Sequence, residues 1–451
     1  MSETLPNLTA LDAVSEMRAG RLSSEALVTA CLERIAQTDA QIRAWAHVDP
    51  DLALEQAREA DRIRKSGRAT GALHGVPVGL KDIVDTRDMP TELGTPICAG
   101  RRPETDAAIV NRLREAGAVI LGKTKTTEFA FAHPTDTANP HDAARTPGGS
   151  SSGSAAAVAA GHVPIAMGTQ TNGSVIRPAS FCGVYGFKPT RGVISRTGIL
   201  RTSVTLDQVG TFGRSLEDVA VLANVLGGFD PDDPESFARP RPDMLGGARS
   251  EPPVEPVFAW FDLPHHDRLD SDAAEGLESV IDALGGQVER FGAAPQLAAL
   301  VDVHAKIHEY EFCQHLAEII DEHRARLSPT LEPIVARGLA ISRAEYEDAL
   351  AVKQSAETFF SGHFNDFDAI LAPAATGEAP ALASGGTGDP VFCTIWTLAG
   401  LPAVTLPILV GETGLPIGVQ LVGGPEEDDR LLRTASWFQT ELARQSEGGA
   451  L

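Results

Sequence analysis

The sequence has little of the residues that mark several classes of protein. Five cysteines are spread over 451 residues without any paired spacing. This excludes a disulfide framework or a cysteine knuckle for a metal, and it predicts a reducing compartment. Aromatic residues make up only 5% of the chain, which favours close packing of helices on a sheet over a β-sandwich. No apolar run approaches the length of a bilayer-spanning helix.

Positive charge is also scarce. The formal net charge is −23, with 38 basic residues against 61 acidic ones. Nucleic acids and anionic membranes bind basic surfaces, so neither is expected as a partner. The first residues lack a charged segment followed by an apolar one, which argues against a secretory signal and predicts a soluble, cytoplasmic protein.

Short apolar runs alternate with helical patterns, which predicts an α/β fold. The predicted strands span residues 75–84, 118–124, 163–167, 257–261, 287–291, 367–373, 401–409 and 417–422. The predicted helices span residues 11–40 (with a cap at Ser23 or Ser24), 52–66, 106–116, 154–160, 272–284, 298–326, 343–360 and those from 428 onward. The first strands are apolar on both faces, as expected in the middle of a covered sheet.

A Gly/Ser-rich segment, residues 147–189, contains two tight serine-bearing turns at 148–154 and 168–174. Serines in such turns are commonly structural, and the first turn also fits an anion-binding nest at a helix N-terminus. The spacing of its glycines is that of a P-loop. However, Ser154 stands where the phosphate-binding lysine is needed, which argues against nucleotide binding.

Lys81 interrupts an apolar run at the end of a predicted strand. Such a lysine either extends its amine to water or stays buried and neutral, and so accepts a proton from a hydroxyl group. Ser150 and Ser174 supply two hydroxyls held by the two turns. These residues form the parts needed for acyl transfer, namely a base, a relay hydroxyl and a nucleophile. The predicted oxyanion donors are the backbone N–H groups of Thr171, Asn172, Gly173 and Ser174.

Taken together, these motifs resemble those of the amidase signature family. The matching stretches are residues 75–82, 148–154, 168–190, 206–210, 401–403 and 418–420. The resemblance implies a single large mixed β-sheet core covered by helices on both faces, without a cofactor or a metal. By position it makes Ser174 the nucleophile, Ser150 a serine that follows a cis peptide bond, and Lys81 the base. Residues 227–366 are the least diagnostic part.

Three residues depart from the common family pattern and resemble its malonamidase-like branch. Gln170 replaces an aspartate, Ser152 replaces a glycine, and Arg177 lies one place later than the usual arginine. Arg177 either grips a substrate carboxylate through a bidentate pair or pairs internally to support the loop. Phe129 and Phe131 either line an acyl pocket or pack in the core. With Gln170 and Arg177, they are the predicted substrate-binding residues.

The predicted function is hydrolysis of the C–N amide bond of a small molecule through an acyl-enzyme on Ser174. The resemblance also allows anilides, carbamates of the urethane type and esters, and a homodimer is compatible with it. The alternatives are an amidotransferase subunit of a tRNA-amidating complex, a metal-dependent hydrolase using His304 and His308, and a thiol amidase using Cys182. The histidines lack a zinc-helix motif and are expected at a helix surface. Cys182 has no basic neighbour and is expected in the core.

One domain is predicted over residues 1–451, because neither an internal repeat nor an interdomain linker is found. Its predicted parts are N-terminal helices (1–70), a catalytic core (71–226), a surface excursion with a helical cover (227–365) and a C-terminal return to the sheet (366–451). Within the third part, residues 227–256 are rich in Asp, Pro, Arg and Gly and are expected to form a surface excursion rather than a packed element.

Overall fold

The strands of the described chain form one mixed sheet. The computed structural model describes residues 5–292 and 295–447. Within them the strands are β1 (Trp45–Val48), β2 (Pro77–Lys81), β3 (Val119–Thr124), β4 (Ile165–Gln170), β5 (Tyr185–Lys188), β6 (Gln208–Gly213), β7 (Phe258–Phe261), β8 (Val288–Phe291), β9 (Ala369–Pro373), β10 (Ala403–Val410) and β11 (Pro416–Val422). They pair in the order β1-β3-β2-β4-β6-β5-β10-β11-β9-β7-β8.

Helices connect and cover these strands. They are α1 (Ala10–Arg18), α2 (Ser24–Ile42), α3 (Pro50–Lys65), α4 (Ala108–Glu115), α5 (Ser152–Ala159), α6 (Ile176–Cys182), α7 (Leu216–Leu226), α8 (Met244–Ala248), α9 (Ser271–Leu284), α10 (Ala299–His315), α11 (Ala317–His323), α12 (Glu332–Ala340), α13 (Arg343–His363), α14 (Val391–Leu398) and α15 (Asp428–Glu447). Over the described ranges, none of these helices combines the length and the hydropathy that a membrane span requires.

Both faces of the sheet are covered. In β9, Ile370 belongs to one buried apolar cluster, whereas its neighbours Ala369 and Leu371 belong to another. This division follows from the alternation of side chains along a strand. Helices α2 and α7 contribute to the cluster of Leu371, and α13 and α14 contribute to the cluster of Ile370. The predicted mixed sheet with helices on both faces is confirmed.

Three parallel strands in the half of the sheet that begins with β1 bring their carboxyl ends together. β2 lies between β3 and β4 and runs parallel to both. Lys81 is the last residue of β2, and Gln170 is the last residue of β4. The carboxyl ends of parallel strands form the edge at which ligands bind in open α/β sheets. The fold therefore carries the predicted lysine and the second serine turn to the same edge.

Several predicted boundaries differ from the structure. The predicted helix 11–40 is two helices, α1 and α2, and Ser23 caps the second by accepting a hydrogen bond from the N–H of Ala26. The predicted helix 298–326 breaks at Leu316 into α10 and α11. The predicted strand 163–167 continues to the end of β4, because β6 pairs with β4 along its whole length.

The region after α7 is more tightly integrated than the sequence suggested. The expectation of a surface excursion over residues 227–256 is wrong at α8, which packs against α7 and α15 and fully buries Met244. The following strand–helix–strand unit is part of the main sheet, because β7 pairs in parallel with β9. Apolar residues at one face of α8 are the local reason for its burial.

Candidate active site

Lys81 is fully buried at the carboxyl end of β2. Its Nζ donates hydrogen bonds to Ser150 Oγ at 2.7 Å and to Thr169 Oγ1 at 2.9 Å. Its side chain has no solvent exposure, so the alternative in which the amine reaches water is excluded. The parallel pairing of β2 with β4 places Leu80 opposite Met167, and this register carries the amine of Lys81 to Thr169.

The surroundings of Lys81 favour its neutral form. Burial lowers the pKa of Lys81 from 10.5 to about 7, because the protein interior disfavours the ammonium ion. The negative charge of Asp207 opposes this shift but does not cancel it. A large fraction of the amine is therefore neutral near physiological pH. A neutral amine that contacts a hydroxyl group can accept its proton.

The first serine turn is a fixed structure. The peptide bond between Gly149 and Ser150 is cis. Ser151 Oγ donates to the carbonyl of Thr169, and Ser152 Oγ donates to the carbonyl of Gly148 at 2.8 Å. These bonds hold the chain on both sides of Ser150, whose own hydroxyl contacts the lysine. The alternative of a flexible Gly/Ser loop is excluded, and the helix after the turn begins at residue 152, two residues before its predicted start.

Ser174 lies in the turn between β4 and α6 and is 8% exposed. Within residues 5–292 and 295–447, its hydroxyl makes no hydrogen bond, so the structure does not join it directly to Ser150. The two serine turns are nevertheless connected. Arg177, in the first turn of α6, donates from Nη2 to the carbonyl of Gly149 at 2.6 Å. This bond ties the helix that follows Ser174 to the peptide that precedes Ser150.

Three consecutive peptide groups of the 171–174 turn are held by their carbonyl oxygens. His304 Nε2 lies 2.7 Å from the carbonyl oxygen of Thr171, and Thr397 Oγ1 donates to that of Asn172 at 2.6 Å. The N–H of Arg177 donates to the carbonyl oxygen of Gly173 at 3.0 Å. In a planar trans peptide the C=O and the N–H point in opposite directions. The N–H group of each of these peptides, which belongs to residue 172, 173 or 174, therefore points away from the group that bonds the carbonyl oxygen.

The N–H groups of the turn are left free by this arrangement. Across the described ranges, no acceptor in the protein is bonded to the backbone N–H groups of residues 171–174. Buried backbone donors are nearly always paired. A row of unpaired donors beside a free serine hydroxyl is suited to holding the oxyanion that forms when a carbonyl is attacked.

Gln170 supports the same turn from within the protein. Its Oε1 accepts hydrogen bonds from the N–H groups of Val175 and Ile176, at 2.8 and 3.0 Å. Its Nε2 donates to Thr397 Oγ1 at 2.9 Å, and that hydroxyl in turn binds the carbonyl of Asn172. The side chain of Gln170 therefore supports the start of α6 from within the protein. Its predicted contact with substrate stays a prediction.

Asp207 holds the turn from the opposite side. It accepts a hydrogen bond from Thr171 Oγ1 at 2.5 Å, and its second oxygen accepts from the N–H of Thr202 at 2.7 Å. The neighbouring segment is fixed to α10, since Glu311 accepts hydrogen bonds from the hydroxyls of Ser203 and Thr205. Helix α10 thus contacts the turn directly and also braces the loop behind it.

Comparison with known proteins agrees with this geometry. The sequence profile of the Amidase family matches residues 26–432. The chain belongs to the amidase signature family. It is therefore an enzyme of the amidase class, which acts on C–N bonds.

This amidase signature protein is similar to relatives with different activities. One subunit of the glutamyl-tRNA(Gln) amidotransferase from Chloroflexus aggregans is 34% identical over 96% of each chain. A solved peptide amidase from Stenotrophomonas maltophilia superposes with a TM-score of 0.80 at 30% identity, over 96% of each chain. A structure from a vestigial protein complex that reveals the evolutionary origins of an s-triazine catabolic enzyme has a TM-score of 0.90 at 28% identity, covering 96% of this chain and 98% of that one.

Arg177 is used internally in this family member. It is 5% exposed, and its guanidinium bridges the carbonyl oxygens of Gly149 and Gly388. Burial lowers the pKa of Arg177 to about 10. Within the part of the chain that the structure describes, its Nε has no partner. The bridge favours the internal role, and the predicted grip on a substrate carboxylate stays a prediction.

The two predicted pocket phenylalanines differ in their surroundings. Phe129 is fully buried, with a positive φ of 48°. Phe131 is half-buried and stacks on the imidazole of His308 with 4.1 Å between ring centroids. Its carbonyl accepts a hydrogen bond from Thr127 Oγ1, and the N–H of Thr127 donates to the carbonyl of Ser150. Phe131 therefore lies close to the first serine turn, whereas Phe129 packs in the core.

The expectation that His304 and His308 lie at a helix surface is wrong. They are 1% and 7% exposed, and burial lowers the pKa of His304 to about 4. No cluster of residues suited to holding a metal occurs within 5–292 and 295–447. The sequence contained a signal for this burial, because both histidines are in helical register with Leu300 and Ile307, which are also buried.

Cys182 lies in the core, as expected. Burial raises the pKa of its thiol, and Sγ lies 3.5 Å from the carbonyl oxygen of Pro147. The thiolate needed for nucleophilic attack is therefore strongly disfavoured at neutral pH. This environment argues against the thiol amidase.

Proposed function

We propose that this protein cleaves the C–N bond of an amide through an acyl-enzyme on Ser174. The observation that carries the proposal is the buried amine of Lys81, which lies 2.7 Å from Ser150 Oγ and 2.9 Å from the hydroxyl of Thr169, two residues before the turn with the unpaired N–H groups. In this proposal the base, the relay hydroxyl, the nucleophile and the oxyanion donors all belong to the same edge of the sheet. The substrate itself is proposed to bring the two serine hydroxyls into line.

In the first half-reaction, Ser174 Oγ attacks the amide carbonyl. Its proton passes to Ser150, whose own proton passes to the neutral amine of Lys81. The electron pair of the carbonyl moves to its oxygen, where the N–H groups of the 171–174 turn stabilise the negative charge. When the C–N bond breaks, the proton returns through Ser150 to the leaving nitrogen. The products are an ester on Ser174 and ammonia or an amine.

The second half-reaction repeats the first with water. The leaving amine vacates its place, and a water molecule gives its proton to the same relay as it attacks the ester carbonyl. Collapse of the second oxyanion returns the proton to Ser174 Oγ and releases the acid. Lys81 ends each cycle neutral, so the net reaction is amide plus water to acid plus amine.

A small-molecule amide is the proposed substrate, and carbamates and anilides present the same kind of carbonyl to the site. The similarity to a peptide amidase supports a hydrolytic reaction. Gln170 and the position of Arg177 support it as well, because both resemble the malonamidase-like branch. The acidic balance of the chain argues against a direct role for nucleic acid.

A second candidate is the amidase-family component of a glutamyl-tRNA(Gln) amidotransferase. The relatives that carry this name, at 34% identity over nearly the whole chain, favour it at least as strongly as the first candidate. The acyl-enzyme chemistry would be the same, with other proteins as partners. The two candidates differ in whether the isolated chain turns over small amides and whether it forms a stable assembly.

The test is release of ammonia or amine from a panel of aliphatic amides, glutamine, anilides, carbamates and malonamate-like acids. We expect turnover by the wild type and its loss, by about 10⁴-fold or more, in Ser174→Ala. Ser355→Ala, at an exposed position of α13, is the matched control. Undiminished turnover in Ser174→Ala would refute the nucleophile. Copurification with partner proteins, together with activity on glutamine alone, would favour the second candidate.

A further inference from the structure

One nitrogen of His308 is buried without a partner. Its Nε2 makes no hydrogen bond within residues 5–292 and 295–447, and the residue is 7% exposed. Buried polar atoms in folded proteins are nearly always paired, because an unpaired one has lost its bond to water without gaining another. The folded protein therefore leaves this nitrogen without a hydrogen bond.

The ring of His308 is held in place by aromatic neighbours. It stacks on Phe131, with 4.1 Å between centroids and 28° between planes, and it makes an edge-to-face contact with His304, with 5.8 Å between centroids. Phe312 makes an edge-to-face contact with Phe131, with 4.8 Å between centroids. Stacked and edge-to-face contacts of this kind fix the orientation of a ring. The ring contacts therefore fix the position of His308 Nε2, so the ring does not rotate to find a partner for it.

The neighbours of His308 make contacts with both serine turns. His304 lies one helical turn before His308 on α10, and it contacts the carbonyl oxygen of Thr171 in the 171–174 turn. Phe131, which stacks on His308, is bonded through its carbonyl to the hydroxyl of Thr127. The N–H of Thr127 in turn donates to the carbonyl of Ser150 at 3.3 Å. The surroundings of His308 are therefore linked to both serine turns, the one that carries Ser150 and the one that carries Ser174.

We propose that His308 determines specificity by hydrogen-bonding through Nε2 to an uncharged planar group of the substrate, an amide or urea, beside Phe131. This inference rests on the proposed amidase function and names the chemistry of its acyl group. The group is a second carbonyl–nitrogen unit in the substrate, separate from the bond that is cleaved.

The chemistry of the pocket supports an uncharged partner. Burial and the neighbouring His304 hold the pKa of His308 well below its ordinary value, so the ring is neutral. In a neutral imidazole one nitrogen donates and the other accepts, and the tautomer decides which role Nε2 has. Nε2 can therefore bond either the C=O or the N–H of an amide. A carboxylate would be desolvated beside this ring and would gain no ion pair from it, because the ring is neutral. A flat group also fits the face of an aromatic ring.

The test compares two primary amides that share the same scissile bond. One carries a terminal urea on its acyl chain, and the other carries a branched alkyl group of the same shape. We expect the wild type to prefer the urea by about tenfold in kcat/KM, as one hydrogen bond allows. His308→Phe keeps the ring stack but removes the nitrogen, and it should reduce the preference to about one, mainly through KM. His308→Gln should retain part of it.

Both substrates meet the same enzyme preparation, so a folding defect cancels from the ratio. His315→Phe, at the exposed end of α10, is the control and should keep the wild-type ratio. An unchanged preference in His308→Phe would overturn the inference, as would a wild type that cleaves both amides equally well. Loss of all amide turnover in the wild type would instead refute the proposed function, and the inference with it.

Discussion

Two buried lysines of this protein share an environment but not a set of partners. Lys81 and Lys188 are both without solvent exposure, and burial lowers the pKa of each to about 7. Lys81 contacts two hydroxyl groups. In the described part of the chain, Lys188 instead donates to carbonyl oxygens only, those of the Gln208 side chain and of the Pro189 and Leu401 backbone.

The difference shows that burial alone does not make a lysine a base. A carbonyl oxygen has no proton to give, so Lys188 can only brace β5 against β6 and the start of β10. A hydroxyl both donates and accepts, so the neutral amine of Lys81 has a proton source in Ser150. The partner atoms, rather than the pKa, distinguish the amine that we propose as the base from the structural one.

Of the changes that test this comparison of lysines, removing the amine of Lys81 should have the largest effect. Lys81→Ala deletes the proposed base, and general base catalysis contributes about 10²–10⁴-fold to a rate. We therefore expect kcat/KM to fall by about 10³-fold, measured as ammonia release from the best amide of the panel. A fall of less than tenfold in a folded variant would remove the contrast between the two lysines.

The pH dependence of turnover should report the Lys81 amine. The neutral form is the active one, so activity should fall as pH falls through the pKa of about 7, tenfold per unit, reaching about 100-fold at pH 5. His304, whose pKa is lowered to about 4, stays neutral over this range. A flat profile of kcat/KM between pH 5 and pH 8 would contradict a lysine base.

His304 should affect kcat more than KM. Its bond to the Thr171 carbonyl aims the N–H of Asn172, and loss of one oxyanion donor costs about 10²–10³-fold in kcat. We expect a smaller loss, about 30-fold, in His304→Phe, because the donor is displaced rather than removed. His304→Gln keeps an N–H donor and should recover part of the rate. Equal losses in both variants, or a change in KM alone, would exclude a positioning role.

Lys188 should have the smallest effect on turnover. Lys188→Met leaves three buried carbonyl oxygens without this donor, and because each such group costs about 1–3 kcal/mol, the total cost is several kcal/mol. The free energy of unfolding in urea should fall by that order, while kcat per folded molecule stays at the wild-type value. If the rate falls as far as in Lys81→Ala, the two amines are not functionally distinct.

The sequence predicted the parts of the site that are encoded by local motifs. Lys81, Ser150 and Ser174 each lie in a short stretch whose glycines and hydroxyls are visible without a structure. His304 was misplaced because its role depends on a contact with Thr171 across 133 residues of chain. Its helix register indicated burial, but the sequence could not show which carbonyl it meets.

The fold shows the same limit. Apolar runs such as 118–124 predicted β3 well, whereas β5 and β6 were not predicted. β6 contains Gln208 and Thr211, both buried, and their side chains bond to groups outside the strand, including Lys188 Nζ and the carbonyl of Val219 in α7. Strands stabilised by such contacts do not show the continuous apolar pattern on which the prediction depended.

The central claim is that Lys81, through Ser150, drives the acylation of Ser174. The most direct test is rapid quenching of the enzyme with a slowly turned-over amide, followed by mass spectrometry to locate and time the acyl adduct. The account predicts an adduct on Ser174 that forms at similar rates in the wild type and Lys188→Met, and at least about 100-fold more slowly in Lys81→Ala. An adduct on another residue, or acylation of Lys81→Ala at the wild-type rate, would contradict it.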